Sequence, residues 1–410
     1  MSRFRGISTL ASGTILAQLI TIVATPLLTR LYSPESFAAL ALVVSTANTL
    51  AVFAHGRLTV AIAASENEEV AQEIFVAGKR LVWITCGLSF ILLVCANFLG
   101  IAKSHTISIA LTACVLGGIT ATLDLYAFFR NASKAYRISA AASVIRAVST
   151  VILQAMAAIL GAVGQVVGAI GGAAVSMMYS RWAIYRHQVS IPKSPPMTTK
   201  WMLEKILQHR NYVFYSAPQA LVSALGHNLP PIIFAATASP NFVGHYWLAF
   251  RLLIAPITIL GGSYRQASIP AFKVGARRIL WVLIRDTGLL ALMVAAMAGG
   301  LALSGGYAFA LAFGERWREA GDIAGILVIG YGADLIKVPA VCLLQARRME
   351  KLLLGVEIFS VIFKLTTLIV CLRYMDPFQS LGAFSVASAL GALSLLVIGL
   401  ILARRSTSRT

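Results

Sequence analysis

The chain has 410 residues, of which 58% are apolar and only 12% charged. A soluble domain carries roughly 25% charged residues, so too little polar sequence exists to cover a water-soluble surface of this size. The net charge of +19 raises nucleic-acid binding, but 25 of the 34 Lys and Arg fall in alternate loops and tails or near the run ends that border them, 5 in the intervening loops and 4 deep inside apolar runs. That asymmetry is the positive-inside pattern, and it leaves nucleic acid no part.

Twelve apolar runs are long enough to cross ~30 Å of hydrocarbon. They are predicted at 7–29, 36–56, 81–100, 107–129, 138–160, 162–184, 214–237, 243–264, 279–304, 322–344, 352–372 and 379–402. The first follows Arg3 and Arg5 as a signal peptide would begin. It is too long for such a peptide and no small-residue cleavage site closes it, so it reads as a retained span. Near its outer end stands Pro26, followed by a Ser33–Pro34 turn and Phe37 opening the second span. Span four carries Asp124 near its inner end, and span five carries Arg146 about a third of the way in. Span six has Gly164, Gly168 and Gly172 at four-residue spacing, which suits close helix packing or, less simply, a hinge.

A Pro-rich basic stretch at 187–211 divides the chain. Its second part, Thr198 to Arg210, mixes Trp201, Leu203, Ile206 and Leu207 with Lys200 and Lys205, the pattern of a short amphipathic helix on the cytoplasmic surface. The expected organisation is therefore a six-helix lobe at 1–186, the linker, and a second six-helix lobe at 212–410. The second lobe repeats the opening of the first: Pro230 and Pro231, then Ser239–Pro240, then Phe242, at an offset of 205 to 206 residues. Six-span repeats keep the same orientation and are related by an axis along the membrane normal. Proline within a span removes a backbone hydrogen bond, so bends are expected at Pro26, Pro218, Pro230, Pro231, Pro256 and Pro339. The longest outer segment, 305–321, contains Gly314 to Glu319 and reads as an interfacial turn anchored by Trp317.

Ionisable groups inside spans carry the functional signal, because charge in hydrocarbon costs a few kcal/mol even on the mildest scale. Arg146, Arg251 and Lys364 lack a close acidic neighbour on their own helices; Glu357 lies two turns from Lys364. Asp334 and Lys337 are spaced to pair on span ten, either as a self-neutralising couple or as part of a site. Asp124 either snorkels inward or partners a cation. Buried cations spread over both halves point to a positive path for an anion, with Arg251, Arg146, Lys364, Lys337 and Arg57 along it. Asp334, Glu357 and Asp124 are then charge partners or an ion- or proton-coupling set. The six histidines are scattered, the five cysteines form no C-x-x-C pair, and no phosphate-binding glycine loop is present. No metal, cofactor or catalytic centre is expected.

The segment from Pro26 to Phe37, Arg57 with Ala61 and Ile62 ahead of Glu66, Glu68 and Glu69, and the stretch from Tyr212 to Leu221 resemble the bacterial polysaccharide-transport family. So do the run from Gly244 through Arg251 to Pro256 and the Gly314 to Trp317 turn. These are the O-antigen-type flippases of the multidrug/oligosaccharidyl-lipid/polysaccharide exporter superfamily. Two positions depart from the family pattern: Thr59 where an acid is common, and Ala38 where Gly is usual. A peptidoglycan-precursor flippase resembles a fourteen-span pattern rather than twelve.

The resemblance implies two lobes around a central cleft. Alternating access would turn an undecaprenyl-diphosphate-linked oligosaccharide from the cytoplasmic to the periplasmic leaflet, in the service of O-antigen or other lipopolysaccharide synthesis. It implies the bacterial inner membrane, contact with membrane lipids, and polymerase or glycosyltransferase neighbours in the pathway. A drug exporter of the same superfamily and a membrane enzyme acting on lipid-linked sugar are the rival readings. Acid lining a cleft would favour the first, and a catalytic carboxylate or His cluster the second. The charge asymmetry makes both termini and the 187–211 linker cytoplasmic, so a Lys193→Cys variant should label only from that side; labelling from the periplasm would overturn the topology.

Overall fold

The structure is a computed structural model describing residues 2–65, 67–100, 104–186, 198–208, 217–268, 276–347 and 349–407. Among them every regular element is helical. Unit 1, Met1–Asn228, holds α1 (Ser2–Leu31), α2 (Pro34–Ala54), α3 (Leu58–Ala63), α4 (Glu68–Phe98), α5 (Ser104–Ala132), α6 (Tyr136–Met156), α7 (Ala162–Arg186) and α8 (Thr199–Gln208). Then α9 (Ala217–Thr237) crosses into unit 2, Leu229–Thr410. Unit 2 continues with α10 (Pro240–Ser268), α11 (Ala276–Phe313), α12 (Arg318–Ile336), α13 (Val338–Ala346), α14 (Glu350–Tyr374) and α15 (Pro377–Thr407). The division between units falls inside α9; residues 187–197 and 209–211 of the expected linker lie outside the described residues.

Among the described residues twelve segments are helical and apolar enough to cross a membrane, with α12 and α13 together making the tenth. Apolar side chains such as Val23, Leu92, Leu292 and Leu393 stay exposed, as lipid-facing surface must. The Ser-Pro pairs act alike in both halves. Pro34 and Pro240 stand at the first position of α2 and α10, where the missing N–H is no loss. Ser239 Oγ also accepts from the Phe242 N–H at 3.3 Å.

Several boundaries differ from expectation. The helix expected to start at 81 begins at Glu68, because Glu68 and Glu69 suit a helix N-terminus and Ala71, Ile74 and Phe75 bury a face. The ninth span runs on to Phe313. Gly56 and Arg57 take left-handed φ values of 51° and 59°, turning the chain into the short α3. Helices run through Pro26, Pro230, Pro231 and Pro256, whereas Pro218 occupies the first turn of α9 as described. Near Pro339 the tenth span is interrupted for one residue: α12 ends at Ile336, Lys337 keeps right-handed helical angles, and α13 restarts at Val338.

α8 forms where the amphipathic pattern placed it. It packs antiparallel along the first turns of α4, with Lys205 Nζ 2.7 Å from Glu73 and the Arg80 guanidinium 5.8 Å from the Trp201 ring. Met202 is buried there and Ile206 joins the α4–α5 core.

The glycine stripe of α7 packs against α6. An ideal Cβ on Gly168 would lie 2.6 Å from the backbone nitrogen of Gln154; Gly164 and Gly172 meet Ala157 and Thr150 as closely. Gln154 Nε2 donates to the Gln165 carbonyl at 2.9 Å and Ser176 Oγ to that of Ala142 at 2.9 Å, tying the hairpin further. Gly168→Leu must push the two backbones apart. It should cost about 3 kcal/mol or more, beyond ordinary overpacking because backbone must move. The variant should melt far below wild type in detergent, and wild-type melting would refute the packing role.

Candidate functional site

In unit 1 the ionisable groups assemble from three elements. Arg146 is the eleventh of the 21 residues in its span, the midpoint rather than a third of the way in. Its own helix offers no acid, but Asp124 on α5 lies within electrostatic reach. Asp124 keeps 44% of its side chain exposed, so its carboxylate is not sealed in the core. Beside it, His55 Nε2 stands 3.9 Å from Asp124 Oδ2. The left-handed turn at Gly56 and Arg57 swings the Arg57 N–H back to donate to His55 Nδ1 at 3.2 Å. With Nδ1 accepting, the ring proton sits on Nε2, toward Asp124. Burial, helped by the Arg57 charge, pushes His55 down to about 4. The Asp124 contact is too long for a hydrogen bond, so burial wins over the carboxylate and the ring is neutral.

Unit 2 holds a second group. Lys337 Nζ meets Asp334 Oδ1 at 2.5 Å across the α12–α13 junction, the pairing that the spacing implied. Lys364 on α14 is only 6% exposed. It lies in the field of Asp334 first, then Lys337 and Glu357, with the Phe384 ring centroid 5.8 Å from its Nζ. Tyr331 hydrogen-bonds Tyr246 hydroxyl to hydroxyl at 3.2 Å, and Phe250 packs on Tyr331. Sequence reasoning missed these tyrosines, although Tyr246 lies in the same motif as Arg251.

Arg251 differs from the others. It is the twelfth of the 23 residues in its span, again the midpoint, and is partly buried. Among the described residues no ion pair or hydrogen bond reaches its guanidinium.

The turn at Gly314 is a correction. Trp317 is fully buried and packs edge-on against His245 at 5.5 Å, so it is a core plug and not an interfacial anchor. His245 Nε2 lies 2.9 Å from the Arg316 carbonyl oxygen and Nδ1 2.9 Å from Glu319 Oε2, which fastens the head of α10 to the turn before α12. Among the described residues no three His, Cys, Asp or Glu gather as metal ligands.

Twelve spans with charges at mid-depth define a multi-pass membrane protein with a transporter fold. Solved structures share that fold. Lipid II flippase MurJ in an inward closed conformation superposes with a TM-score of 0.72 at 13% identity, over 96% of this chain and 87% of that one. A multidrug resistance MATE family transporter of the MOP superfamily matches in its inward-facing conformation with a TM-score of 0.60 at 13% identity, over 98% and 94%. An outward-facing structure of such a transporter gives 0.58 at 15%, over 98% and 96%. Among curated protein sequences none matches. Residues 4–274 match the profile of the polysaccharide biosynthesis protein family, and the chain belongs to that family.

The His55 environment has a pH consequence. A folded-state value near 4 against about 6.5 in an unfolded chain means that the unfolded state binds the proton first. Stability should therefore fall as pH drops from about 6.5 to about 4, by about 3 kcal/mol in total. Thermal unfolding in detergent should show this decline in wild type and a flatter profile in His55→Asn; identical profiles would exclude His55 as the cause.

Proposed function

We propose that this protein is a flippase for an undecaprenyl-diphosphate-linked oligosaccharide, carrying the headgroup from the cytoplasmic to the periplasmic leaflet of a bacterial inner membrane. Its family places it in polysaccharide biosynthesis and its fold is that of a transporter. The observation that carries the substrate reading is Arg251. Lys337 touches a carboxylate, and Arg146 and Lys364 lie in the field of one, whereas Arg251 has no counter-charge among the described residues. An unpaired guanidinium at mid-membrane is expensive to keep. A diphosphate crossing at that depth would supply the missing charge through paired N–H donors.

Arg146 with Asp124, and Lys364 with Asp334 and Glu357, are reserves whose carboxylates release them when a stronger anion arrives, or which load a coupling ion or proton. Arg57 and Lys337 extend the path. Alternating access exposes the bound headgroup first to one leaflet and then to the other, with bends near Pro26, Pro230, Pro231 and Pro256, and both termini stay cytoplasmic. Glycosyltransferases and a polymerase of an O-antigen pathway are the fitting neighbours. Export of cationic drugs is the weaker reading, since Arg251 would repel them. Arg251→Ala should abolish glycan export at normal protein abundance, and Arg251→Lys should recover only part, a point charge replacing a planar fork. Wild-type export by the Ala variant would remove Arg251 from the mechanism; loss of the protein from the membrane would mark its role as structural.

A further inference from the structure

A cluster of cations lies in unit 1, near the ends of α5 and α7 and three turns into α4. Arg130, three residues from the end of α5, is 2% exposed. Its Nε donates to Ser139 Oγ at 3.2 Å, yet Nη1 is sealed from solvent with no acceptor among the described residues. Around it cations predominate among the described residues. Arg181 on α7 acts on both Lys79 of α4 and Tyr126 of α5, and Arg130 acts on Tyr126 and Tyr179. Arg80 adds its charge to Lys79. Among the described residues no carboxylate pairs with any of these four cations; the nearby Glu73 is taken by Lys205.

Four clustered cations, one of them buried with an idle donor, are costly. Leaving a buried charge uncompensated is strongly unfavourable. The carbonyl ends of α5 and α7 return only a small part of that cost. We propose that this cluster binds the phosphate of an anionic membrane lipid. A phosphate presents several oxygens at once, matching the guanidinium fork of Arg181 and the point charge of Lys79, with the buried charge of Arg130 adding to their pull from behind. Arg181 is exposed and gives the way in. Beside it Trp182 and Tyr185 are exposed, and Arg186 covers the Trp182 ring at 5.4 Å. Such aromatics settle at headgroup depth, which favours a lipid over a dissolved anion. The site uses none of the residues assigned to translocation and does not rest on that assignment.

Native mass spectrometry of the purified full chain tests it, with phosphatidylglycerol, phosphatidylcholine and inorganic phosphate as probes. One phosphatidylglycerol should bind at least tenfold more tightly than phosphatidylcholine. Lys79→Gln with Arg181→Gln should weaken it at least tenfold, while Arg251→Ala leaves it unchanged. Arg181→Gln alone, a surface change, keeps the test valid if the double variant melts early. Binding of inorganic phosphate as tight as that of phosphatidylglycerol, lost in the same variants, would uphold the phosphate site and make its source soluble. Equal binding of both lipids, or variants that bind like wild type, would overturn the proposal.

Discussion

A charge placed in hydrocarbon must find water, a counter-charge or a ligand, and this constraint organises the whole molecule. The spans can be apolar all round because their backbone bonds close internally. Every ionisable group among them then needs a reason. At the α12–α13 junction Lys337 and Asp334 satisfy each other, and Lys364 shares their field. On α5 and α6, Asp124 and Arg146 sit within each other's field while the Asp124 side chain stays partly exposed. These local settlements leave few cations whose only remaining option is an anion from outside the chain.

The two sets of underserved cations sit at different depths. Arg251 lies at the middle of its span, whereas Arg130 and Arg181 lie toward helix ends and Lys79 lies three turns into α4. On the proposed readings, attraction at mid-depth acts on a group in passage, because strong retention there would halt traffic. Attraction near helix ends acts on molecules resident in one leaflet. Similar chemistry at two depths can thus serve transit in one case and anchorage in the other.

Much of the fold was legible because bilayer thickness acts directly on sequence: a run of about 20 apolar residues has few other uses. The twelve spans, the Ser-Pro turns and α8 followed from pattern alone, as did the Asp334–Lys337 pair, since spacing of three on one helix is enough. What stayed hidden depends on contacts between helices distant in sequence. Asp124 and Arg146 are 22 residues apart on separate helices, and nothing local joins them. His55 looked like one more scattered histidine until the left-handed turn at Arg57 brought a backbone donor to its ring. Trp317 misled because a tryptophan beside charges at a helix end usually marks the interface, and here the ring is swallowed by a buried histidine's neighbourhood.

The stripe of glycines on α7 bears on how Arg146 can move. With no Cβ between them, α6 and α7 touch backbone to backbone at Gly164, Gly168 and Gly172, too close for either to slide or roll alone. Arg146 is therefore mounted on a two-helix plate. Side-chain rotation can shift its guanidinium by a few ångströms, but any larger excursion must carry about 45 residues with it. The position of that charge is then a coordinate of the bundle: a force that pulls on Arg146 is delivered to α7 as well, and a load on α7 is felt at Arg146.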